Sequence, residues 1–212
     1  MKPLLILLLL SVALTASARE QPLQTVRVQS DLPALARGAG ELMNNCHSCH
    51  SLKYLKYRDL IKLGVSKQKI NGWRGEQSMD APLLAQMSEA DALQAFGKTP
   101  PDLSLMSHAR DGGANYIYSY LLGYYVNSSG IAGNHIYPAT KMPDPLGVST
   151  ASDPAQLVQI QAQARDIVSF LTWAADPHQA QRIRLGYYVI AYLLVLTLLL
   201  YLAKQQIWAK LD

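Results

Sequence analysis

Two cysteines are the chain's whole supply, and they stand three positions apart in Cys46-His47-Ser48-Cys49-His50. Cys-x-x-Cys followed at once by His is the haem c attachment pattern. Two thiols on one turn can each bond a vinyl group of the porphyrin, and the next imidazole then faces the iron from one side. The pattern predicts one haem c, covalently attached through two thioethers at Cys46 and Cys49, with His50 as an iron ligand. A thioredoxin-type dithiol belongs beside a βαβ pattern, which is not seen here. A zinc site wants four Cys and His ligands, and no second Cys pair exists. A disulfide across two intervening residues is strained and closes almost no loop. His47 reads as a solvent-facing filler within the motif.

Both ends of the chain are apolar. Residues 1–18 combine Lys2, a leucine-rich run and Ala16-Ser17-Ala18. That is the form of a cleavable secretory signal peptide. Residues 185–203 carry no charge over 19 positions, and at ~1.5 Å per residue they cover ~28 Å, one hydrocarbon core. Tyr187, Tyr188, Tyr201 and Trp208 lie near its ends, at the depth aromatic rings favour. Arg182 and Arg184 before the span balance Lys204 and Lys210 after it, so basic flanks do not set the orientation. The signal peptide does. The expected plan is a signal peptide (1–18), an exported, periplasmic haem domain (19–184), one transmembrane helix (185–203) in a bacterial inner membrane, and a short cytoplasmic tail (204–212). Residues 19–184 hold 16 Lys/Arg and 14 Asp/Glu. With two ionised propionates such a domain is near neutral, which excludes nucleic acid as a partner.

An electron carrier needs a second strong axial ligand, and Met paired with His raises the potential relative to two nitrogens. The candidates are Met43, Met79, Met87, Met106, Met142, His108, His135 and His178. Met43 is one turn before Cys46 on the same helix and cannot reach the opposite face. Met79 and Met87 lie in a polar stretch, and His178 is close to the membrane. Met142 stands in Lys141-Met142-Pro143-Asp144-Pro145, where two prolines forbid helix and stiffen an extended loop. Such a loop can hold a thioether at the iron. Met142 is preferred, with Met106 and His135 next.

The fold class read from the pattern is all-α, a cytochrome c-like haem domain with long loops followed by the transmembrane helix. Helices are expected over residues 33–45, 87–95 (Ser88 as cap), 103–110, 115–125 and 154–175, the last opened by Asp153-Pro154. Gly38 and Gly40 read as places of close helix approach. No strand signal convinces.

These residues resemble the cytochrome c1 family, the haem c subunit of the cytochrome bc1 complex. The likeness runs through Cys46 to Leu52, Tyr57-Arg58, Pro100-Pro101-Asp102-Leu103-Ser104, Ala109-Arg110-x-Gly112-Gly113, Met142-Pro143-x-Pro145-Leu146 and Phe170-Leu171-x-Trp173-Ala174-Ala175-x-Pro177. The attachment motif is generic to c-type cytochromes, whereas the Pro-Pro-Asp-Leu-Ser and Trp-Ala-Ala-x-Pro segments are more specific. The resemblance implies that Met142 is the axial partner of His50. It implies that Pro100 and Pro101 pack against the ring, that Arg110 pairs with a propionate, and that Tyr116 lines the same edge. Relatives often carry Asn-Asn-Gly before the two prolines. Here the stretch is Ala95-Phe96-Gly97-Lys98, with Gln94 as a substitute for the missing Asn. The implied function is an electron relay from a Rieske iron–sulfur protein to a soluble or membrane-bound cytochrome c, beside cytochrome b in a dimeric complex. Quinol is oxidised elsewhere in that assembly, so the chain is not catalytic alone. The alternatives are a tail-anchored monohaem cytochrome of another respiratory complex and a haem sensor or peroxidase with an open iron position.

Overall fold

The computed structural model describes residues 22–209. The expected signal peptide at 1–18 and the end of the tail lie outside the described residues. Six α-helices are described: α1 (Leu32–Asn45), α2 (Lys67–Arg74), α3 (Glu89–Phe96), α4 (Gly113–Leu122), α5 (Pro154–Ala175) and α6 (Gln179–Trp208). Strands are few. Leu52–Lys56 (β1) pairs antiparallel with Pro82–Leu83 (β2), and Tyr124–Val126 (β3) pairs with Ala132–Asn134 (β4). The domain is mostly helical, as the sequence predicts, but it does contain these two small ladders.

The helix starts follow local chemistry. The Asp31 carboxylate accepts from the Ala34 N–H at 3.1 Å and Pro33 sits in the first turn of α1. Asp153 accepts from Ala155 N–H at 3.0 Å ahead of Pro154 in α5. Ser88 Oγ accepts from Asp91 N–H at 3.1 Å in α3. Each side chain satisfies an N–H that the first turn leaves without a partner.

α1 and α5 form the main helix pair, and α4 packs on α5. Leu35, Leu42, Ile167, Val168, Phe170 and Leu171 are buried between them. Each fully buried Leu, Ile or Val is worth ~1.5–3 kcal/mol relative to exposure. Gly38 makes the approach possible, because a Cβ there would fall on the Asp166 carbonyl and the Phe170 side chain. Gly40 faces open space instead, so only the first of the two expected close contacts exists. Beside Gly38, Arg37 clamps the buried Asp166 carboxylate through Nε (2.7 Å) and a terminal nitrogen (3.1 Å). The extended segment before α1 laces the bundle. Gln24 N–H donates to Ser119 Oγ (2.7 Å), Val26 N–H to Asn115 Oδ1 (2.9 Å) and Gln29 N–H to Ser169 Oγ (2.9 Å).

One expectation fails and one shifts its bounds. Residues 103–110 form successive turns rather than a helix: local bonds such as Met106 N–H to the Leu103 carbonyl (3.2 Å) and Ala109 N–H to the Leu105 carbonyl (2.9 Å) are made, while Leu103 N–H and the Ser104 hydroxyl bond the segment after the cysteines. The helix expected at 115–125 spans Gly113–Leu122, and Tyr124 already belongs to β3. α6 runs 30 residues, ~45 Å at helical rise. Its best window has a mean hydropathy of 2.2 with none of it buried against the protein. A helix that is apolar all round and packed on nothing is a candidate membrane anchor.

Candidate functional site

The motif continues the end of α1. Cys46 N–H donates to the Leu42 carbonyl (2.8 Å), and the Cys49 and His50 N–H groups both donate to the Cys46 carbonyl (3.1 and 2.9 Å). The sequence therefore keeps turning after Asn45, which brings Cys46, Cys49 and His50 onto one wall of a cavity of about 500 Å³. Both thiols are free. Burial pushes the Cys46 thiol up to about 12, with smaller contributions from Cys49 and Glu41. A redox-active dithiol needs the opposite shift, toward thiolate.

His50 is buried and its Nδ1 lies 2.8 Å from the Pro101 carbonyl. A carbonyl can only accept, so Nδ1 carries the proton, and in the neutral ring Nε2 keeps its lone pair. Burial lowers the imidazole's proton affinity, so it stays neutral. A bond of this kind fixes which ring nitrogen of a histidine is free to accept or to bind a metal. The Pro-Pro-Asp-Leu-Ser segment supplies that carbonyl and is itself stapled down. The Asp102 carboxylate accepts from Lys53 N–H (3.0 Å) and Ser104 N–H (2.9 Å). Leu103 N–H donates to the Ser51 carbonyl (2.8 Å), and Tyr54 N–H to Ser104 Oγ (3.2 Å).

The rest of the lining comes from α4, from α5 through Ile167 and Leu171, and from the loop around Met142. Tyr116 stacks on Tyr120, and Tyr124 meets Tyr120 edge-on. Tyr120 Oη is 2.5 Å from Thr140 Oγ1, which accepts from Met142 N–H at 3.1 Å. Tyr124 Oη donates to the Met142 carbonyl at 3.3 Å. Burial, then its bond to Tyr120, raises the Tyr124 phenol well above its ordinary range, so it remains a donor. Beyond Met142 the Asp144 carboxylate accepts from the N–H groups of Leu146, Gly147 and Ser149 at 3.2, 3.0 and 2.7 Å.

Cys46, Cys49, His50, Pro100, Pro101, Arg110, Tyr116 and Met142 all line this cavity, as does Met106. His135 does not, and it stacks on Tyr125 instead, with ring centroids 4.2 Å apart. Gln94 is outside the lining, where Phe96 and Lys98 stand. His47 is no solvent-facing filler. It is 1% exposed and its Nε2 lies 3.4 Å from the Tyr57 hydroxyl. The sequence reading missed Tyr120 and Thr140, although Tyr116 and Tyr120 stand at the four-residue spacing of one helix face. Among the described residues no three His, Cys, Asp or Glu side chains could hold a metal ion by themselves. The donor set fits a haem: two thiols, a tautomer-fixed imidazole and a thioether around an apolar, helix-walled space.

A mostly helical domain whose Cys-x-x-Cys-His turn opens on such a cavity is a c-type cytochrome in class. The sequence model of the cytochrome c1 family matches residues 23–83 and 73–211. Cytochrome c1 of Allochromatium vinosum is 32% identical over 95% of each chain. Cytochrome c1 of Rhodospirillum rubrum is 32% identical over 84% of this chain and 82% of its own. A chain of a hyperthermophilic respiratory complex III superposes with a TM-score of 0.51 at 20% identity, covering 100% of both. The chain belongs to the cytochrome c1 family, and its role is the electron-transfer subunit of the cytochrome bc1 complex.

Proposed function

We propose that the chain carries one haem c, with thioethers to Cys46 and Cys49 and axial ligands His50 and Met142. The bond from His50 Nδ1 to the Pro101 carbonyl, made inside the cavity that Met142 and both thiols line, is the observation that carries this reading. When bound, the haem supplies a one-electron couple. The chain's residues do the rest. Pro101 aims the imidazole, and Tyr124 and Thr140 hold the Met142 backbone. Pro100, Ile117 and Leu121 keep the lining apolar and water out. Arg110 is exposed at the cavity and has no carboxylate partner among the described residues. Its planar fork suits a propionate. Tyr116 adds an aromatic wall to the same space.

Met142 is favoured over Met106 by packing. Both are half-buried, but Met106 is packed against the hydrophobic core whereas Met142 is outside that cluster. The donor in this proposal is a Rieske iron–sulfur protein and the acceptor a cytochrome c, with cytochrome b beside the anchor in a dimeric complex. Residues 1–18 act as an export signal and α6 crosses a bacterial inner membrane. The domain at 19–184 then faces the periplasm and residues 204–212 the cytoplasm. Purification of the tagged full chain from membranes, with haem staining and redox titration, tests this. Met142→Ala should retain haem and lose potential on the order of 100 mV, and Met106→Ala should not. An unchanged potential in Met142→Ala removes Met142 from the iron. Failure of cytochrome b and a Rieske protein to co-purify would remove the proposed partners.

A further inference from the structure

Asn134 is fully buried, yet it is not among the residues that line the cavity. A buried amide needs partners for both its ends, and here they belong to two parts of the chain. Nδ2 donates to the Tyr120 carbonyl at 2.8 Å, in the last turn of α4, where helix carbonyls lack partners of their own. Oδ1 accepts from Ile136 N–H at 2.9 Å and from Tyr137 N–H at 3.2 Å, where the chain leaves β4 for the Met142 loop. Gly123 leaves room for this amide, because a Cβ there would come within 3.1 Å of Asn134 Oδ1 and 2.8 Å of the Ser119 carbonyl. The bonds continue along the loop. The Tyr137 carbonyl accepts from Thr140 N–H at 3.0 Å, and Thr140 Oγ1 accepts from Met142 N–H at 3.1 Å. Thr140 Oγ1 also meets the Tyr120 hydroxyl at 2.5 Å. Tyr120 therefore holds Thr140 by two routes, one through its hydroxyl and one from its carbonyl by way of Asn134 and Tyr137.

We propose that Asn134 is a positioning residue for the distal iron ligand: it sets the place of the Met142 thioether from outside the cavity. The inference rests on the reading of Met142 as the axial partner of His50. The hydroxyl route fixes the loop at Thr140 alone, and a segment fixed at one point can still swivel. The Asn134 amide fixes Ile136 and Tyr137 as well, so the turn that carries Thr140 is held at both its ends. Pro143 and Pro145 stiffen the chain beyond Met142, but stiffness transmits a position only from an anchored end, and Asn134 anchors the end before Met142. Removing the amide releases the Tyr120 carbonyl and leaves two backbone N–H groups without the acceptor they now have. Each bond alone contributes modestly. Three acting on one segment shift the ratio of open to closed loop by about tenfold or more.

The experiment uses the full haem-loaded chain in neutral detergent and reads two quantities: the midpoint potential, and the affinity of the reduced protein for carbon monoxide, which enters where the thioether leaves. Asn134→Ala should keep its covalently held haem, lose about half or more of the potential that Met142→Ala loses, and bind carbon monoxide about tenfold or more tightly than the wild type. Asn134→Ser restores an acceptor for the turn, as serine does in such turns, without reaching Tyr120, and should fall between the wild type and Asn134→Ala. Asn127→Ala is the control. It removes a side chain that also accepts two backbone N–H groups, at the far end of the same hairpin, and should match the wild type in both measurements. Wild-type potential and carbon monoxide binding in Asn134→Ser overturn the proposal, even where Asn134→Ala fails to accumulate. Equal effects of Asn127→Ala and Asn134→Ala overturn it too, since any loosening of the hairpin would then suffice. A wild-type potential in Met142→Ala removes the ligand reading itself, and this inference falls with it. Loss of potential in Met142→Ala with none in the Asn134 variants removes this inference alone.

Discussion

The two walls of the cavity are built in different ways. On the His50 side, residues 51–54 and 101–104 are joined by a backbone bond, by the half-buried Asp102 carboxylate and by the Ser104 hydroxyl. On the Met142 side the loop hangs from hydroxyl groups, those of Tyr120, Tyr124 and Thr140. Met142 itself is half-buried, where His50 is buried. The first wall holds His50 by its segment contacts. The second holds the Met142 loop by side chains that a single substitution can delete. The His50 wall of this cavity should therefore fail with the fold, whereas the Met142 wall can loosen while the fold survives.

The sharpest way to break the first wall is through the helix that carries it. Gly38→Val would push a branched side chain into the Asp166 carbonyl and Phe170 and separate α1 from α5. Overpacking typically costs ~1–3 kcal/mol, and here the obstacle is backbone, so a loss of at least ~3 kcal/mol is expected in denaturant titration. Haem incorporation should fall with it. A wild-type midpoint would mean that the helix contact does not govern the proximal wall.

Asp102→Ala comes next. It removes the acceptor for two backbone N–H groups and frees the segment that aims the Pro101 carbonyl. Bonds to a charged group are worth ~1.5–3 kcal/mol each, and water can replace part of that near the surface, so a loss of ~2–3 kcal/mol is expected. Tyr124→Phe probes the other wall. It removes the hydroxyl's bonds to the Met142 carbonyl and to the Tyr120 hydroxyl, with an expected loss of ~1–2 kcal/mol. Its signature should lie elsewhere: carbon monoxide should bind the reduced Tyr124→Phe protein more readily than the Asp102→Ala protein. Equal binding by both would mean that the two walls are alike in stiffness.

The same contrast decides what could be read in advance. The cysteines, His50, the Ser88 and Asp153 caps and the apolar anchor all express rules that act within a few residues, and they are visible in sequence. Gly38 was legible as a close contact and Gly40 was not distinguishable from it, because only the partner helix differs. The turns at 103–110 make helix-like local bonds, and the partners of Leu103 N–H and the Ser104 hydroxyl, which break the regular helix, lie some 50 positions away. The β3–β4 hairpin was missed because three-residue strands carry no periodicity. Its turn is set by Asn127, whose side chain accepts from Ser129 and Ile131 N–H, both at 2.9 Å. The Met142 loop was legible through its prolines, and the hydroxyl groups that hold it were not.

The smallest expected effect concerns His47, which tests whether the motif's middle belongs to the rigid wall. Its Nδ1 is buried with no hydrogen-bond partner, and burial lowers its proton affinity below the ordinary histidine value. The backbone around it is anchored too, since the carbonyls of His47 and Ser48 accept from Gln86 and Met87 N–H at 3.4 and 2.9 Å. The folded-state pKa is depressed, so the unfolded chain takes up a proton that the folded protein refuses. Stability is complete above the unfolded value of ~6.5 and is lost as pH falls from there toward the folded value. His47→Gln keeps a polar group facing Tyr57 and does not titrate. Melting curves between about pH 7.5 and pH 5 should therefore fall less steeply for His47→Gln than for the wild type, with a difference of about 1 kcal/mol or less. Parallel curves would mean that the site opens enough at low pH to admit the proton, which would place the centre of the motif with the softer wall.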